Sequence, residues 1–156
     1  MKIALAQLNY TIGDIEGNKS KIIDAIERAK TEGADLVVFA EQALSGTPAL
    51  DLLCKTTFIE LCEEALDEIA SHCGRIAAVV GVPVLTECGT VSAAAVIQHG
   101  EVERCVSKRF ITARREMGFL VPGSGYETIN ICGEKVAVIV GDDLSRTSNF
   151  DKSVDL

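Results

Sequence analysis

No apolar run in this 156-residue chain approaches the roughly 20 residues that a membrane-spanning helix needs. The opening residues Met1-Lys2-Ile3-Ala4-Leu5-Ala6 enter a strand-like pattern with no cleavable signal. These two absences point to the cytosol and argue against a membrane partner. Positive charge is also scarce. With 15 Lys and Arg against 23 Asp and Glu, the formal net charge is −8. Nucleic acid is disfavoured as a partner, because its binding needs clustered Lys and Arg to neutralise phosphates. The one basic cluster, Lys108-Arg109 with Arg114-Arg115, is local. The six cysteines, Cys54, Cys62, Cys73, Cys88, Cys105 and Cys132, form no Cys-x-x-Cys or Cys/His metal pattern. They read as buried, reduced thiols, with neither a metal nor an organic cofactor expected. Internal repeats and low-complexity linkers are missing too, so one folded domain over 1–156 that meets a small molecule or a protein is the expectation.

What is present supports such a domain: 47% of residues are hydrophobic, too many for a disordered chain. Residues 1–8 alternate and then run apolar, as a buried strand does, and a turn signal at Gly13-Asp14 follows. Asn18 reads as an N-cap. Ile22, Ile23, Ala25, Ile26 and Ala29 recur at helical spacing over 19–31, and Gly33 closes that helix. The run Leu36-Val37-Val38-Phe39 is short and β-branched, so 34–40 is a strand that ends at Glu41. Phe58, Leu61, Cys62, Ala65, Leu66 and Ile69 predict a second amphipathic helix over 57–72, and 76–82 is the next buried strand. Beyond Pro83 the texture becomes strands at 91–98, 102–107, 126–131 and 136–141, with turns at His99-Gly100 and Gly133-Glu134. Residues 109–125 are loop-like and 145–156 form a polar tail.

In open α/β sheets, functional side chains gather beyond the carboxyl ends of strands. Three candidates stand there: Glu41 after the second strand, Lys108 after 102–107, and Gly141-Asp142-Asp143 after 136–140. Taken singly, each has a plainer reading. Glu41 would be a strand-end carboxylate in a turn hydrogen bond, and Lys108 a solvated strand end. It is their order that matters.

The segment Leu36-Val37-Val38-Phe39-Ala40-Glu41 with Gly46-Thr47-Pro48 resembles the nitrilase (carbon–nitrogen hydrolase) superfamily. Asp51-Leu52-Leu53 narrows the likeness to the glutaminase domain of glutamine-dependent NAD synthetases. Lys2-Ile3-Ala4-Leu5-Ala6-Gln7-Leu8-Asn9 with Gly13, Asp14 and Asn18, then Ala93 to Ile97 with Gly100, and finally Pro122-Gly123 continue it as far as Leu144. The resemblance implies a site of glutamate, lysine and cysteine acting on a small amide such as glutamine. Glu41 would take the proton from the thiol, and Lys108 would stabilise the oxyanion. It also implies the α-β-β-α sandwich topology of that family, of which this chain holds only the N-terminal portion, and a homo-oligomer in which a second copy covers exposed sheet.

The sequence departs from the pattern where it matters most. The family's Ile-Cys-Glu-Asp-Leu-Trp is here Val140-Gly141-Asp142-Asp143-Leu144-Ser145, so the nucleophile position is Gly141, which cannot form an acyl-enzyme. The loop after Lys108 lacks the family's Leu-Pro-Asn-Tyr and leaves Glu116 as the match to a second glutamate beside the lysine, with a surface pairing to Arg114 or Arg115 as its plainer reading. Asp142 and Asp143 are expected to buttress the site rather than to hold metal. Ser145 is the nearest hydroxyl that could stand in for the thiol; Cys132 lies at the other end of the preceding strand. His72 and His99 read as a helix-end and a turn residue. The expectation is a carbon–nitrogen hydrolase-like domain without turnover, or a non-catalytic binding or assembly module on the same fold.

Overall fold

A computed structural model describes residues 1–145 of the chain. Its regular elements are β1 (Ile3–Leu5), α1 (Ile15–Thr31), β2 (Leu36–Val38), α2 (Thr56–Ser71), β3 (Ala77–Thr86), β4 (Gly89–Gln98), β5 (Glu101–Ser107), β6 (Glu127–Ile131) and β7 (Glu134–Val138). Five strands form one sheet in the order β1-β2-β3-β4-β5, and β6-β7 form a separate hairpin. The first three strands are parallel, as strands joined through crossover helices are, and β3-β4-β5 is an antiparallel meander.

The two faces of the large sheet are buried differently. On one, Val37, Ala78, Val80, Ala95 and Ile97 pack against Ile22 and Ile26 of α1 and Phe58, Cys62 and Ile69 of α2. On the other, Leu36, Val79, Ala94, Val96 and Val106 pack against Ile129, Ile131, Val138 and Val140 of the hairpin segment. The period of two along each strand separates these sets. The result is a helix layer, a five-stranded sheet and the beginning of a second sheet, which is the expected α-β-β-α plan in part. At the far edge, Ile3 and Leu5 pair with Leu36 and Val38 and so share their face, yet they remain 48% and 73% exposed. Among the described residues no helix is long and apolar enough to cross a membrane.

Several expectations need correction. Helix α1 starts four residues before 19, and its cap is Asp14, whose carboxylate accepts from the amide of Gly17 at 3.0 Å. Asn18 is instead buried a turn inside the helix. Its side chain accepts from Thr11 N and donates to Thr11 O and Leu44 O, tying α1 to two loops. Strand β3 does not stop before Pro83 but runs on to Thr86. This is tolerated because β2 pairs with β3 only up to Val79, leaving that side of β3 without a ladder partner where the proline sits. Leu61, assigned to the buried face of α2, is 51% exposed, and Ile59 takes the inner position. The second hairpin turn is Cys132-Gly133, with φ of 52° and 83°, a left-handed pair like His99-Gly100. All six cysteines are free, but only Cys62 and Cys73 are buried; Cys54, Cys88 and Cys132 are exposed because they sit at turns and element ends. Of the tail expected over 145–156, everything past Ser145 lies outside the described residues.

Candidate active site

Because β5 runs antiparallel to β4, and β4 to β3, the carboxyl ends of β2 and β5 lie at the same rim. The segment after β7 reaches that rim from the second sheet, so three strand ends far apart in sequence converge.

Glu41 follows β2 on a loop that passes very close to β3. A Cβ on Gly81 would lie 2.2 Å from Ala40 O and 2.5 Å from Gln42 N, so only glycine lets the loop through. The loop is then held by Leu44 N donating to Gly81 O at 3.1 Å and by the Asn18 amide on Leu44 O at 3.0 Å. Gln42, immediately after the glutamate, adopts a left-handed φ of 53°, a strained conformation of the kind that collects at functional sites.

Lys108 continues the β5 ladder by one residue. Its amide donates to Ser92 O and its carbonyl accepts from Gly123 N, both at 2.7 Å. The side chain is buried, and its Nζ lies 3.0 Å from Glu41 Oε1, 3.5 Å from Asp142 Oδ2 and 3.6 Å from Glu116 Oε2. Burial pulls the pKa of this ammonium down, but the hydrogen bond it donates to Glu41 and the charges of Glu41, Glu116 and Asp142 outweigh it and hold the pKa above the ordinary 10.5. The lysine is therefore a fixed cation at neutral pH.

Glu116 does not take the surface pairing with Arg114 or Arg115. It is buried beside Lys108, and its Oε2 has no hydrogen-bond partner. The acidic pair divides its work. Asp143 is buried and accepts from the amides of Arg109 and Phe110, each at 2.8 Å, clamping the segment after Lys108 to the segment after β7. Asp142 faces Lys108 and accepts from the hydroxyl of Thr112. Among the described residues no group of three or more His, Cys, Asp or Glu is arranged to hold a metal ion.

Gly141 lies against both charged groups. It has a left-handed φ of 52°, and a Cβ there would stand 2.2 Å from Glu41 Oε2 and 3.2 Å from Lys108 Nζ. The carboxylate thus occupies the point where a side chain at 141 would begin. Among the described residues, the two side chains that the sequence offers as substitutes, Ser145 and Cys132, do not stand at that point. The hydroxyl of Ser145 donates to Asp142 O at 2.7 Å, and Cys132 contacts Asp35 O, before the amino end of β2. Burial, with the charge of Glu63 adding to it, pushes the Cys62 thiol up to about 12; burial also takes Cys73 to about 11, which leaves both as inert thiols. His72 caps α2 beside Glu27, and His99 is in its turn.

Sequence reading passed over Ser92. This buried residue of β4 donates its hydroxyl to Glu41 Oε1 at 2.9 Å. It stands in the run Val91-Ser92-Ala93-Ala94-Ala95, where a small polar residue gives no periodic signal.

Comparison with known proteins identifies the family and the fold. The carbon–nitrogen hydrolase family model matches residues 2–117. A glutamine-dependent NAD(+) synthetase of Aquifex aeolicus is 35% identical over 149 residues, 92% of this chain and 26% of that protein. This chain therefore spans about a quarter of the length of such curated relatives. The structure of a glutamine-dependent NAD+ synthetase from Acinetobacter baumannii, in complex with ADP, superposes with a TM-score of 0.87 at 28% identity, over 96% of this chain and 29% of that one. A mutant amidase from Nesterenkonia sp. AN1, carrying an acrylamide addition at its active-site cysteine, superposes with a TM-score of 0.79 at 26% identity, over 89% of this chain and 56% of that one. The chain belongs to the carbon–nitrogen hydrolase family.

Proposed function

We propose that this chain is the counterpart of the glutamine-hydrolysing part of an NAD synthetase, keeps the charged half of the amide site, and does not hydrolyse glutamine. The observation that carries this reading is the position of Gly141, whose absent Cβ would stand 2.2 Å from Glu41 and 3.2 Å from Lys108. A nucleophile belongs between a base and an oxyanion donor, and residue 141, which stands there, has no side chain to supply one. Glu41 and Lys108 are the base and the electrophilic group, Glu116 and Asp142 hold the lysine charged, and Asp143 positions the segment. Free thiols at all six cysteines favour a reducing, cytosolic setting.

What such a site can still do is bind a small primary amide, its carbonyl oxygen on Lys108 and its N–H on Glu41. Titration calorimetry with glutamine should show weak, millimolar binding, equivalent to about −4 kcal/mol, lost in Glu41→Ala. No measurable heat at millimolar glutamine would remove the binding role.

A second reading, an assembly module, is favoured by Leu5 and Ile3, which lie open on the face that elsewhere packs on the second sheet. Sedimentation equilibrium should then give a dimer or larger species at micromolar concentration, and Leu5→Glu should give monomer. A wild-type monomer at that concentration contradicts this reading.

A further inference from the structure

We propose that the Glu41–Lys108 pair hydrolyses activated esters of short carboxylic acids by direct attack of water, without a covalent intermediate. This rests on the reading of the site given above but asks for a different reaction and a different substrate.

The two oxygens of Glu41 are not equivalent. Oε1 accepts from Ser92 Oγ at 2.9 Å and from Lys108 Nζ at 3.0 Å. Oε2 receives neither donor and faces Gly141, whose main chain is exposed to solvent. One oxygen is thus anchored and the other points at the place from which a nucleophile must act. A carboxylate in that position can accept a proton from any nucleophile that hydrogen-bonds to it. Since the carboxylate fills the space where a side chain at 141 would begin, the nucleophile that fits is one small enough to sit on the carboxylate itself. Water meets that condition. Lys108 Nζ, held 3.0 Å from the other oxygen of the same carboxylate, is the adjacent cation whose charge would stabilise the developing oxyanion.

Substrate size and leaving group follow from the surroundings. A crevice of about 190 Å³ runs between the two sheets from this point, lined by Val38, Ala40, Val79, Ala93 and Val138, with Glu41 and Gly141 at one end. Its volume is below the usual range for drug-sized ligands, so it accepts an acyl chain of a few carbons only. In the reaction, water gives a proton to Glu41 Oε2 while its oxygen bonds to the acyl carbon. The tetrahedral oxyanion rests on Lys108 and collapses, the bond to the leaving oxygen breaks, and a phenolate departs with the electron pair. Glu41 then returns its proton to solvent. The departing group takes up no proton in this scheme, which restricts the reaction to esters of acidic alcohols and leaves amides untouched.

The test follows release of p-nitrophenolate from p-nitrophenyl acetate, butyrate and octanoate by the full chain, after the exposed thiols have been capped with N-ethylmaleimide. A steady rate above buffer is expected, with acetate and butyrate faster than octanoate. It should fall about a hundredfold in Glu41→Gln, and also in Lys108→Met, with circular dichroism reporting that each variant is folded. Ser92→Ala, which releases Oε1 and leaves Glu41 in place, should fall less and keep its dependence on Glu41. A rate unchanged in folded Glu41→Gln, or a stoichiometric burst leaving acyl groups on the protein, overturns the inference. Ester turnover absent while glutamine still binds in calorimetry would reject this activity alone; absence of both would reject the reading of the site as well.

Discussion

Ammonia release from glutamine is expected to be about a millionfold slower with this chain than with a thiol-bearing enzyme of the family, because deleting the nucleophile of a concerted catalytic unit costs roughly that factor in kcat. The residual charges do not compensate. In the proposed site Glu41 would be the base for a thiol that position 141 lacks, and Lys108 would stabilise an oxyanion that forms only after attack. Water on Glu41 is a weak substitute for the amide reaction, since it is a far poorer nucleophile than a thiolate and the amide nitrogen leaves only once it has been protonated. The check is a coupled ammonia assay at high enzyme concentration, run beside Glu41→Ala. Both should match the buffer. A rate near one per second that Glu41→Ala abolishes would mean that another group has taken the nucleophile's part.

Lys108→Met is expected to be the most destabilising single change at the site, by about 3–5 kcal/mol, the cost of removing one partner from a buried ion pair. The methionine fills a similar volume, so the loss is electrostatic rather than a cavity. It leaves the largely buried Glu116, and Glu41 and Asp142, facing one another without the cation that now lies within 3.0–3.6 Å of all three. The pH dependence has a definite sign. The folded-state pKa of Lys108 is raised above 10.5, so its stabilising contribution is complete below pH 10.5 and is lost as pH rises through the folded value. Urea unfolding at pH 7 and 9 should show the same gap between wild type and variant, and the gap should shrink above pH 10.5. A gap that is already closing between pH 7 and 9 would mean that the lysine is not held charged by its three neighbours.

Glu41 and Gly141 were legible in the sequence because each ends an apolar run, a position that hydrophobic patterning does locate; Lys108 follows the polar, half-exposed β5 and stood out only by its order between them and by the family resemblance. Glu116 was not settled by pattern, since a loop between strands has no period; only its burial against Lys108 separates a site carboxylate from a surface one. Ser92 was invisible for the opposite reason. It lies inside a strand whose small residues suit close packing, and nothing local shows that its hydroxyl meets a carboxylate 51 residues earlier. Asn18 was misread because an asparagine ahead of a helical run looks like a cap. The real cap is Asp14, and Asn18 spends its amide on loops that the helix must hold for Glu41 to be placed. Periodicity also misjudged Leu61 and the thiols of Cys54, Cys88 and Cys132, where an apolar residue type was taken for a buried one although it stands at an element end or on the outer side of a helix. The α/β class followed from strand and helix alternation, while the sandwich of layers and an exposed stretch of sheet came from the family resemblance; that the open flank lies at Ile3 and Leu5 depends on what the second sheet leaves uncovered.

The central claim is that the position between Glu41 and Lys108 carries no nucleophile, and the mass of the intact protein during incubation with millimolar glutamine tests it most directly. The mass should stay that of the unmodified chain at every time point, in wild type and in Glu41→Gln alike. A species heavier by one γ-glutamyl group, formed in wild type and mapped to any residue of this site, would contradict the account.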